Sequence, residues 1–168
     1  MMNFLGTYSI EALTPLDQSF LWEMLYEALY VPAGRAPFAR EIVNEPHLSR
    51  YVKDWGRRGD VGFKAVAEDG LPVGAIWLRM LRDEEKGFGY VDDETPEMGM
   101  ALLPEYRGQG VGTSLLSHLI EAAQGFYENI SLSVARENPA LRLYQRHGFQ
   151  VVAEHGDSLT MRRKLSHS

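Results

Sequence analysis

The chain has no cysteine among its 168 residues. This absence excludes disulfide frameworks, thiolate metal sites and every mechanism that uses a cysteine nucleophile. The sequence also lacks the run of about 18 apolar residues that a membrane helix needs, and it lacks the basic start and apolar stretch of a signal peptide. We therefore expect a cytoplasmic protein that has no membrane partner.

Basic residues are fewer than acidic residues in this chain. Lys and Arg number 17 against 23 Asp and Glu, which gives a formal net charge of −6. Nucleic-acid binding requires a basic surface that replaces counterions on phosphate, so we expect no nucleic-acid partner. The five histidines are scattered without metal-ligand spacing, and no metal is implied. The length and the 45% hydrophobic content predict a single globular domain over 1–168.

The hydrophobic periodicity alternates between the repeat of helices and the repeat of strands. Helices are predicted at 15–30, at 110–126 and from Asn138-Pro139 to Gly148, with one or two short helices within 31–59. Strands are predicted at 61–68, 73–82, 97–103, 130–134, 149–154 and 158–165. Gly99, in the middle of the third strand, suggests a β-bulge. This order predicts an α/β protein of the α+β kind, in which helices are inserted into a strand-rich chain.

A glycine-rich segment lies between a predicted strand and an amphipathic helix. Gly108, Gly110 and Gly112 let the backbone approach a ligand closely and turn successive N–H groups to one side. The helix start adds about half a positive charge, which suits the segment to a pyrophosphate. A nucleoside-triphosphate loop is excluded because the chain has no Gly-Lys pair. A dinucleotide fingerprint matches poorly, since Thr113 stands where the third glycine belongs, and a loop that merely turns the chain is the structural alternative.

Two motifs together resemble one protein family. The pattern Arg107-x-x-Gly110-x-Gly112 resembles the coenzyme A pyrophosphate loop of the GCN5-related N-acetyltransferase (GNAT) superfamily. A second segment resembles the family's helix of the type Asn-x-x-Ala-x-x-Leu-Tyr-x-x-x-Gly-Phe, with Asn138, Leu143-Tyr144 and Gly148-Phe149 in register. Ala140 stands one place earlier than in that pattern.

The resemblance implies a GNAT fold, with a twisted, mostly antiparallel mixed sheet of about six or seven strands flanked by about four helices. In that fold two central strands, here 97–103 and 130–134, splay apart and admit the pantetheine arm of acetyl-coenzyme A. Backbone groups of the first splayed strand pair with pantetheine like an added strand, which requires no particular side chain. The residues implied for cofactor binding are Met100, Ala101, Leu102, Arg107, Gly108, Gln109, Gly110, Val111, Gly112, Thr113 and Asn138.

The resemblance also implies two catalytic residues. Tyr144 would donate a proton to the departing thiolate, or would simply be a core tyrosine of its helix. Glu97 would assist deprotonation of an amine that is mostly protonated at pH 7, or would be a solvated carboxylate at the start of its strand. We expect the carboxylates near Glu97 to raise its pKa by like-charge repulsion. Asn138 is a good helix N-cap in either case.

The implied function is acetyl-coenzyme A-dependent N-acetyl transfer to a primary amine, by direct attack in a ternary complex. A non-catalytic acyl-coenzyme A sensor on the same fold is the alternative, and the acyl group could be acetyl or longer. Seven carboxylates within 83–97, opposed only by Lys86, form a solvated loop or else attract a cationic small-molecule or peptide amine. A homodimer stays open, since family members are often dimers, and the acceptor stays open because one scaffold serves many amines.

Overall fold

The computed structural model describes residues 8–165, and these residues form one seven-stranded mixed sheet flanked by four α-helices. The strand order is β1-β2-β3-β4-β5-β7-β6, and every neighbouring pair is antiparallel except β4 and β5. The predicted fold class is therefore confirmed. The strands are β1 Ser9–Ala12, β2 Val61–Val66, β3 Pro72–Arg79, β4 Glu97–Leu102, β5 Asn129–Ala135, β6 Gln150–His155 and β7 Ser158–Lys164. The helices are α1 Gln18–Glu27, α2 Pro46–Ser49, α3 Val111–Ala123 and α4 Ala140–Arg146.

The predicted helix at 15–30 begins with a 3-10 turn over Pro15–Asp17, and α1 follows it. Thr14 closes a capping box with Asp17: its hydroxyl accepts the N–H of Leu16 at 3.2 Å, and its own N–H donates to Asp17 Oδ2 at 2.8 Å. These caps fix where the chain enters the first helix.

The N-terminal end of the chain departs in part from the sequence-based expectations. Strand β1 was not predicted, because it is four residues long and is defined by its pairing with β2. The first residues on which the signal-peptide expectation rests, 1–7, lie outside the described part of the chain. No helix within 8–165 combines the length and the apolarity that crossing a membrane requires.

Two apolar layers cover the two faces of the sheet. Helices α3 and α4 pack on one face, where Leu115, Leu119 and Tyr144 join inward side chains of the strands. Helices α1 and α2 pack on the other face, and Leu21 and Leu48 lie in that layer. Because side chains alternate along a strand, β4 sends Met98 to the α3 face and Ala101 to the α1 face. Glu97 and Gly99 therefore share the α1 face with Ala101.

Strands β4 and β5 separate almost as soon as they begin. Within the described residues they pair in register only at Glu97 and Ser131, whereas β4 pairs with β3 along its whole length. The N–H of Ser131 donates to Pro96 O at 3.0 Å, at the closed end of the resulting gap. The predicted splay of the two central strands is present, and it opens toward the C-terminal end of β4.

The β-bulge suggested at Gly99 is wrong. Gly99 is the regular partner of Trp77 in an unbroken antiparallel register between β3 and β4. Its lack of a side chain has a packing cause instead, since a Cβ there would lie 2.8 Å from Cζ2 of the Trp77 indole. The register shifts of this sheet lie between Ala65 and Val66 in β2 and between Val151 and Ala153 in β6.

Candidate active site

The backbone of β4 turns alternate peptide groups toward the gap. The N–H of Leu103 donates to Val73 O at 2.9 Å, which fixes the alternation of the antiparallel ladder with β3. By that alternation the peptide groups of Met100 and Leu102 face the gap, whereas those of Ala101 face β3. Two of the three backbone positions predicted for the pantetheine arm thus face the gap, whereas the peptide groups of Ala101 pair with β3 and are not available to it.

The glycine-rich segment forms a cradle at the open end of the gap, made by residues 107–113. Gly108 and Gly110 have φ of 71° and 93°, a left-handed conformation that glycine adopts without strain, and a Cβ at either would meet no atom within 4 Å. Gly110 directly precedes α3, whose first N–H groups have no acceptor within the helix. The cradle therefore presents open backbone and a helix N-terminus on one side, as an anion site requires.

Three other cradle residues have distinct positions. Gly112 and Val111 are buried, and a Cβ on Gly112 would lie 3.4 Å from Met100 Cε and 3.5 Å from Leu143 Cδ2. This close packing joins the start of α3 to β4 and α4. The side chain of Thr113 is exposed on the first turn of α3.

The two long polar side chains of the cradle bind protein groups. Arg107 donates to Leu102 O at 3.3 Å and pairs with Glu27 Oε1 at 3.2 Å, while half of its side chain stays exposed. Gln109 Nε2 donates to Glu105 O at 2.8 Å. Arg107 therefore ties the cradle to the end of α1, and its exposed part leaves the guanidinium able to meet an anion.

The second motif places Tyr144 and Asn138 beside the cradle. Asn138 Oδ1 accepts the N–H of Ala140 at 2.9 Å, so the asparagine caps the start of α4. Tyr144 is buried, and its ring meets Phe149 edge-on with centroids 5.8 Å apart. Burial raises the pKa of the Tyr144 phenol well above its ordinary value of 10. The hydroxyl keeps its proton at neutral pH, and giving that proton away costs more than an ordinary phenol would require.

Glu97 is a buried carboxylate that accepts three hydrogen bonds. Only 1% of the residue is exposed. Its Oε1 accepts the Tyr51 hydroxyl at 2.8 Å and the N–H of Gly89 at 2.9 Å, and its Oε2 accepts the N–H of Gly87 at 2.9 Å. Glu97 is therefore not the solvated strand-start carboxylate that was the alternative interpretation of the sequence.

The pKa of Glu97 is raised, as expected, but the expected cause is wrong. Burial is the largest effect, and it outweighs the hydrogen bonds from Tyr51, Gly89 and Gly87 and the positive charge of Arg50, all of which lower the pKa. Repulsion from neighbouring carboxylates does not contribute. The strand turns the Glu97 side chain into the protein interior, away from the acidic loop residues in solvent.

Sequence reasoning missed Tyr51 and the two glycines that contact Glu97. Tyr51 follows α2 by two positions and lies 46 residues from Glu97 in sequence, so no local pattern connects them. The signal that could have found the contact is the alternation Gly87-x-Gly89 in an otherwise acidic loop. A Cβ on Gly87 would collide with the Tyr51 hydroxyl and with the Glu97 carboxylate, and a Cβ on Gly89 would lie 2.7 Å from the backbone of Leu132.

A buried ion pair holds the segment that carries Tyr51. Arg79 and Asp60 are 1% and 3% exposed at the side chain, and Arg79 Nη2 lies 2.8 Å from Asp60 Oδ2. Arg79 also donates to Arg50 O at 3.0 Å and to Lys53 O at 2.6 Å. Because Arg79 is opposite Glu97 in the β3–β4 register, this pair anchors the residues around Tyr51 next to the carboxylate. The sequence did not indicate the pair.

Three carboxylates of the acidic segment 83–97 have partners, and one of these partners is a cation. Glu85 pairs with Arg57 at 3.0 Å, Asp92 accepts the Thr95 hydroxyl at 2.8 Å, and Asp93 accepts the Tyr90 hydroxyl at 2.6 Å. A cleft of about 280 Å³ lies at the closed end of the β4–β5 gap, and it is lined by Asp92, Glu94, Thr95, Phe126, Tyr127, Glu128 and Asn129. Among residues 8–165, no three His, Asp or Glu side chains converge as a metal site would require.

Comparison with known proteins places this geometry in a family. The family model described as "Acetyltransferase (GNAT) family" matches residues 22–149. The match spans both motifs, the splayed strands and the Glu97 region, and it covers well over half of the chain. The protein therefore belongs to the GNAT acetyltransferase family, whose members are acetyl-coenzyme A-dependent acyltransferases.

Individual relatives are distant. N-alpha-acetyltransferase 50 of Danio rerio is 28% identical over 106 residues, which cover 61% of this chain and 59% of that protein. The peptidyl-lysine N-acetyltransferase YjaB of Salmonella typhimurium is 29% identical over 87 residues, covering 51% of this chain and 57% of that protein. The matched segments thus span less than two thirds of these curated relatives.

A solved structure has the same fold. The phosphinothricin acetyltransferase of Sinorhizobium meliloti, determined in complex with acetyl-coenzyme A, superposes with a TM-score of 0.64 at 18% identity, covering 95% of this chain and 89% of that chain.

Proposed function

We propose that the protein is an acetyl-coenzyme A-dependent N-acetyltransferase that acetylates a primary amine by direct attack in a ternary complex. One observation carries the proposal: β4 and β5 separate after the Glu97–Ser131 pair, and the gap leads to a glycine cradle at the start of α3. The gap offers unpaired backbone to an extended amide chain, and the cradle offers N–H groups to a pyrophosphate. Family membership supports acetyl-coenzyme A as the donor.

The residues present fit coenzyme A. Backbone groups of Met100 and Leu102 would pair with the pantetheine amides, while the cradle and Arg107 would hold the phosphates. When bound, acetyl-coenzyme A supplies an activated acetyl thioester. The side chains around the gap then have two tasks, which are to take a proton from the amine and to return one to the thiolate.

Glu97 is the proposed base. A free primary amine with a pKa of about 10.4 needs roughly 4–5 kcal/mol to lose its proton at pH 7, so a nearby proton acceptor raises the reactive fraction. Glu97 lies on the α1 face of β4 at the closed end of the gap, and its raised pKa makes it a better proton acceptor than an exposed carboxylate. Its burial under Gly87 and Gly89 means that the acceptor reaches it through the covering loop or through a bridging water.

Tyr144 is the proposed acid. It is buried on the opposite face from Glu97, next to Phe149 and in the layer that includes Met98. Its phenol is protonated at neutral pH, as a donor to a departing thiolate must be. The two proposed catalytic groups thus approach β4 from its two faces.

We propose a cationic amine as the acceptor, in the cytoplasm. The acidic segment 83–97 and the net charge of −6 support this class, since an acidic surface raises the local concentration of an ammonium ion. The two curated relatives are named for acetylation of protein α-amino groups and of peptidyl lysine. These names make peptide amines candidates beside polyamines.

An acceptor panel tests the proposal. Purified protein is incubated with acetyl-coenzyme A and one of three probes: spermidine, a peptide with a free N-terminus and no lysine, or an N-acetylated peptide with one lysine. We expect release of free thiol that depends on one of these amines. Tight binding of coenzyme A without amine-dependent thiol release would instead identify the acyl-coenzyme A sensor, and absence of coenzyme A binding would contradict both functions.

A further inference from the structure

All hydrogen bonds to the Glu97 carboxylate come from outside its own strand. Gly87 and Gly89 donate backbone N–H groups, and Tyr51 donates its hydroxyl. The same Tyr51 hydroxyl accepts the N–H of Phe88 at 2.8 Å. The backbone N–H groups of the three successive residues 87–89 are therefore hydrogen-bonded either to Glu97 or to the Tyr51 hydroxyl that binds Glu97. We name these three residues the latch segment.

The latch segment cannot simply shift along the carboxylate. A Cβ on Gly87 would collide with both the Tyr51 hydroxyl and the Glu97 carboxylate, and Gly89 lies against the backbone of Leu132. The loop therefore sits between β5 and Glu97 at backbone contact distance. The contact depends on three donors that all favour the ionised carboxylate.

The hydrogen bonds from the loop and an added proton compete for the same two oxygens of the Glu97 carboxylate. An ionised carboxylate only accepts hydrogen bonds, whereas a protonated one carries an O–H donor on one oxygen. Each of the three donors therefore favours the ionised carboxylate, and removing one of them raises the proton affinity of Glu97.

We propose that Tyr51 is a positioning residue that favours the ionised form of Glu97 and holds the latch segment against the carboxylate. The Tyr51 hydroxyl bridges Phe88 N–H and Glu97 Oε1, so its removal weakens both connections at once. The proposal rests on the proposed function, in which Glu97 is the base.

The other charged groups near Glu97 are already engaged. Arg79, opposite Glu97 on β3, is paired with Asp60 and binds backbone carbonyls. Arg50 lowers the pKa of Glu97 by its charge, and its guanidinium donates to Lys86 O at 2.6 Å. On the β5 side the neighbour is Ser131, whose buried hydroxyl finds no hydrogen-bond partner within 8–165. The Tyr51 hydroxyl is thus the side-chain donor to Glu97 that one substitution can remove without moving the backbone.

The experiment is an NMR titration of isotope-labelled protein that compares Tyr51→Phe with wild type. It follows the Glu97 Cδ chemical shift against pH and the hydrogen exchange of the Phe88 amide. We expect the Glu97 midpoint to rise by about one pH unit, equivalent to a tenfold change in proton affinity, and Phe88 exchange to accelerate at least tenfold. The matched control is Tyr90→Phe, which deletes a hydroxyl of the same loop that binds Asp93 rather than Glu97. That variant should leave both readouts unchanged.

A second variant approaches the same contact from the loop. Gly87→Ala places a methyl group against the Tyr51 hydroxyl and the carboxylate, so it should also raise the Glu97 midpoint and accelerate Phe88 exchange. If Tyr51→Phe does not fold, Gly87→Ala decides the question. An unchanged Glu97 midpoint in a folded variant would overturn the positioning role of Tyr51, even if exchange at Phe88 became faster.

Kinetics separates this role from the proposed function. The pH profile of kcat/KM is measured with the most active of the three amine probes. Tyr51→Phe should move the acid limb to higher pH, and Glu97→Gln should abolish that limb. If Glu97→Gln keeps the limb while Tyr51→Phe raises the NMR midpoint, Glu97 is not the base, but Tyr51 still positions it. If Glu97→Gln abolishes the acid limb and Tyr51→Phe leaves the NMR midpoint of Glu97 unchanged, Glu97 is the base, but the positioning role of Tyr51 is overturned.

Discussion

At the scale of single residues, Glu97 and Tyr144 are two acids whose pKa values are raised by the same cause. Burial disfavours the charged form of each. For Glu97 this makes the carboxylate a stronger base, and for Tyr144 it makes the phenol a weaker acid. In the proposed mechanism, Glu97 would thus accept the proton of the amine readily, whereas Tyr144 would give a proton to the thiolate at a higher free-energy cost.

The raised pKa of Glu97 predicts a pH dependence of stability. Its folded-state pKa lies above the ordinary value of 4.5, so between the two values the folded protein binds more protons than the unfolded chain. The contribution of Glu97 to the free energy of unfolding is therefore fully present below pH 4.5 and falls as pH rises through the folded pKa. Urea denaturation of wild type and Glu97→Gln between pH 4 and 8 should show the difference, wild type minus variant, decreasing with pH.

The control for that measurement is Glu85→Gln, which removes one negative charge from an exposed ion pair with Arg57. It corrects for the effect of net charge on stability. A difference between wild type and Glu97→Gln that stays constant over the pH range would contradict the raised pKa.

Replacing Tyr144 with Phe tests the proposed acid. The variant keeps the ring contact with Phe149 and deletes only the hydroxyl. If the hydroxyl protonates the thiolate, kcat should fall about 10²-fold with little change in coenzyme A affinity. Steady-state kinetics and calorimetry measure the two quantities. Tyr127→Phe is a matched control, because it deletes a hydroxyl that binds Gly59 O. Wild-type kcat in Tyr144→Phe would mean that the tyrosine serves packing alone.

At the scale of elements, the junction between β4 and α3 does most to define the proposed cofactor site. The strand turns alternate peptide groups toward the gap, the 3-10 turn Pro104–Tyr106 redirects the chain, and Gly110 adopts the left-handed conformation directly before α3. Each step is local in sequence. The strand 97–103 and the start of the helix at Gly110 were accordingly predictable within about a residue.

Gly110→Val tests this junction. A β-branched residue is strained at φ of 93°, so the backbone at the start of α3 should move and coenzyme A affinity should fall at least tenfold, as calorimetry can measure. Gly112→Val should act similarly, since its side chain would press on Met100 and Leu143. The control is Gly156→Val, which places the same strain at a positive φ in the β6–β7 turn, where a Cβ also meets no atom within 4 Å. Unchanged affinity in both cradle variants would remove the cofactor assignment.

Contacts between distant elements were not predictable from the sequence. Motifs revealed the cradle, Asn138, Tyr144 and the strand that carries Glu97. The partners of Glu97 come from a turn 46 residues earlier and from a loop whose acidic composition suggested solvent exposure. The ion pair of Arg79 and Asp60 likewise joins β3 to a loop, and the hydrophobic periodicity of the sequence does not indicate that these two charged side chains meet. In each case the side chain is buried by a partner that is distant in sequence. Local sequence patterns do not identify such partners.

At the scale of the whole molecule, charge distribution bears on the acceptor. The net charge of −6 is concentrated in part on the loop before β4, and Asp92 and Glu94 border the cleft at the closed end of the gap. An electrostatic field of this kind accelerates the approach of cations over distances comparable to the Debye length, about 8 Å at physiological salt.

This distribution predicts a salt dependence. Catalytic efficiency with a cationic acceptor should fall as ionic strength rises, because salt screens the attraction. Replacing Asp92, Asp93 and Glu94 together with Asn, Asn and Gln should raise KM and flatten the salt dependence, which kinetics at 20 to 500 mM salt can measure. The amides preserve much of the hydrogen bonding of Asp92 and Asp93 within the loop. Efficiency of the wild type that is independent of salt would contradict charge steering.

The open gap between β4 and β5 also bears on how such a protein can change over evolutionary time. Every residue carries the same peptide group, so a partner bound through the main chain of Met100 and Leu102 is indifferent to their side chains. Substitutions of these two side chains that preserve packing and the course of β4 then leave such binding intact, whereas Glu97 and Gly99 on the same strand are constrained by their contacts. At the cradle the requirement is for glycine, which is an absence of side chain. In the proposed mode of binding, the donor thus requires few particular side chains beyond Arg107, so residues of the α1 face other than Glu97 and its partners can change with the acceptor while donor binding persists.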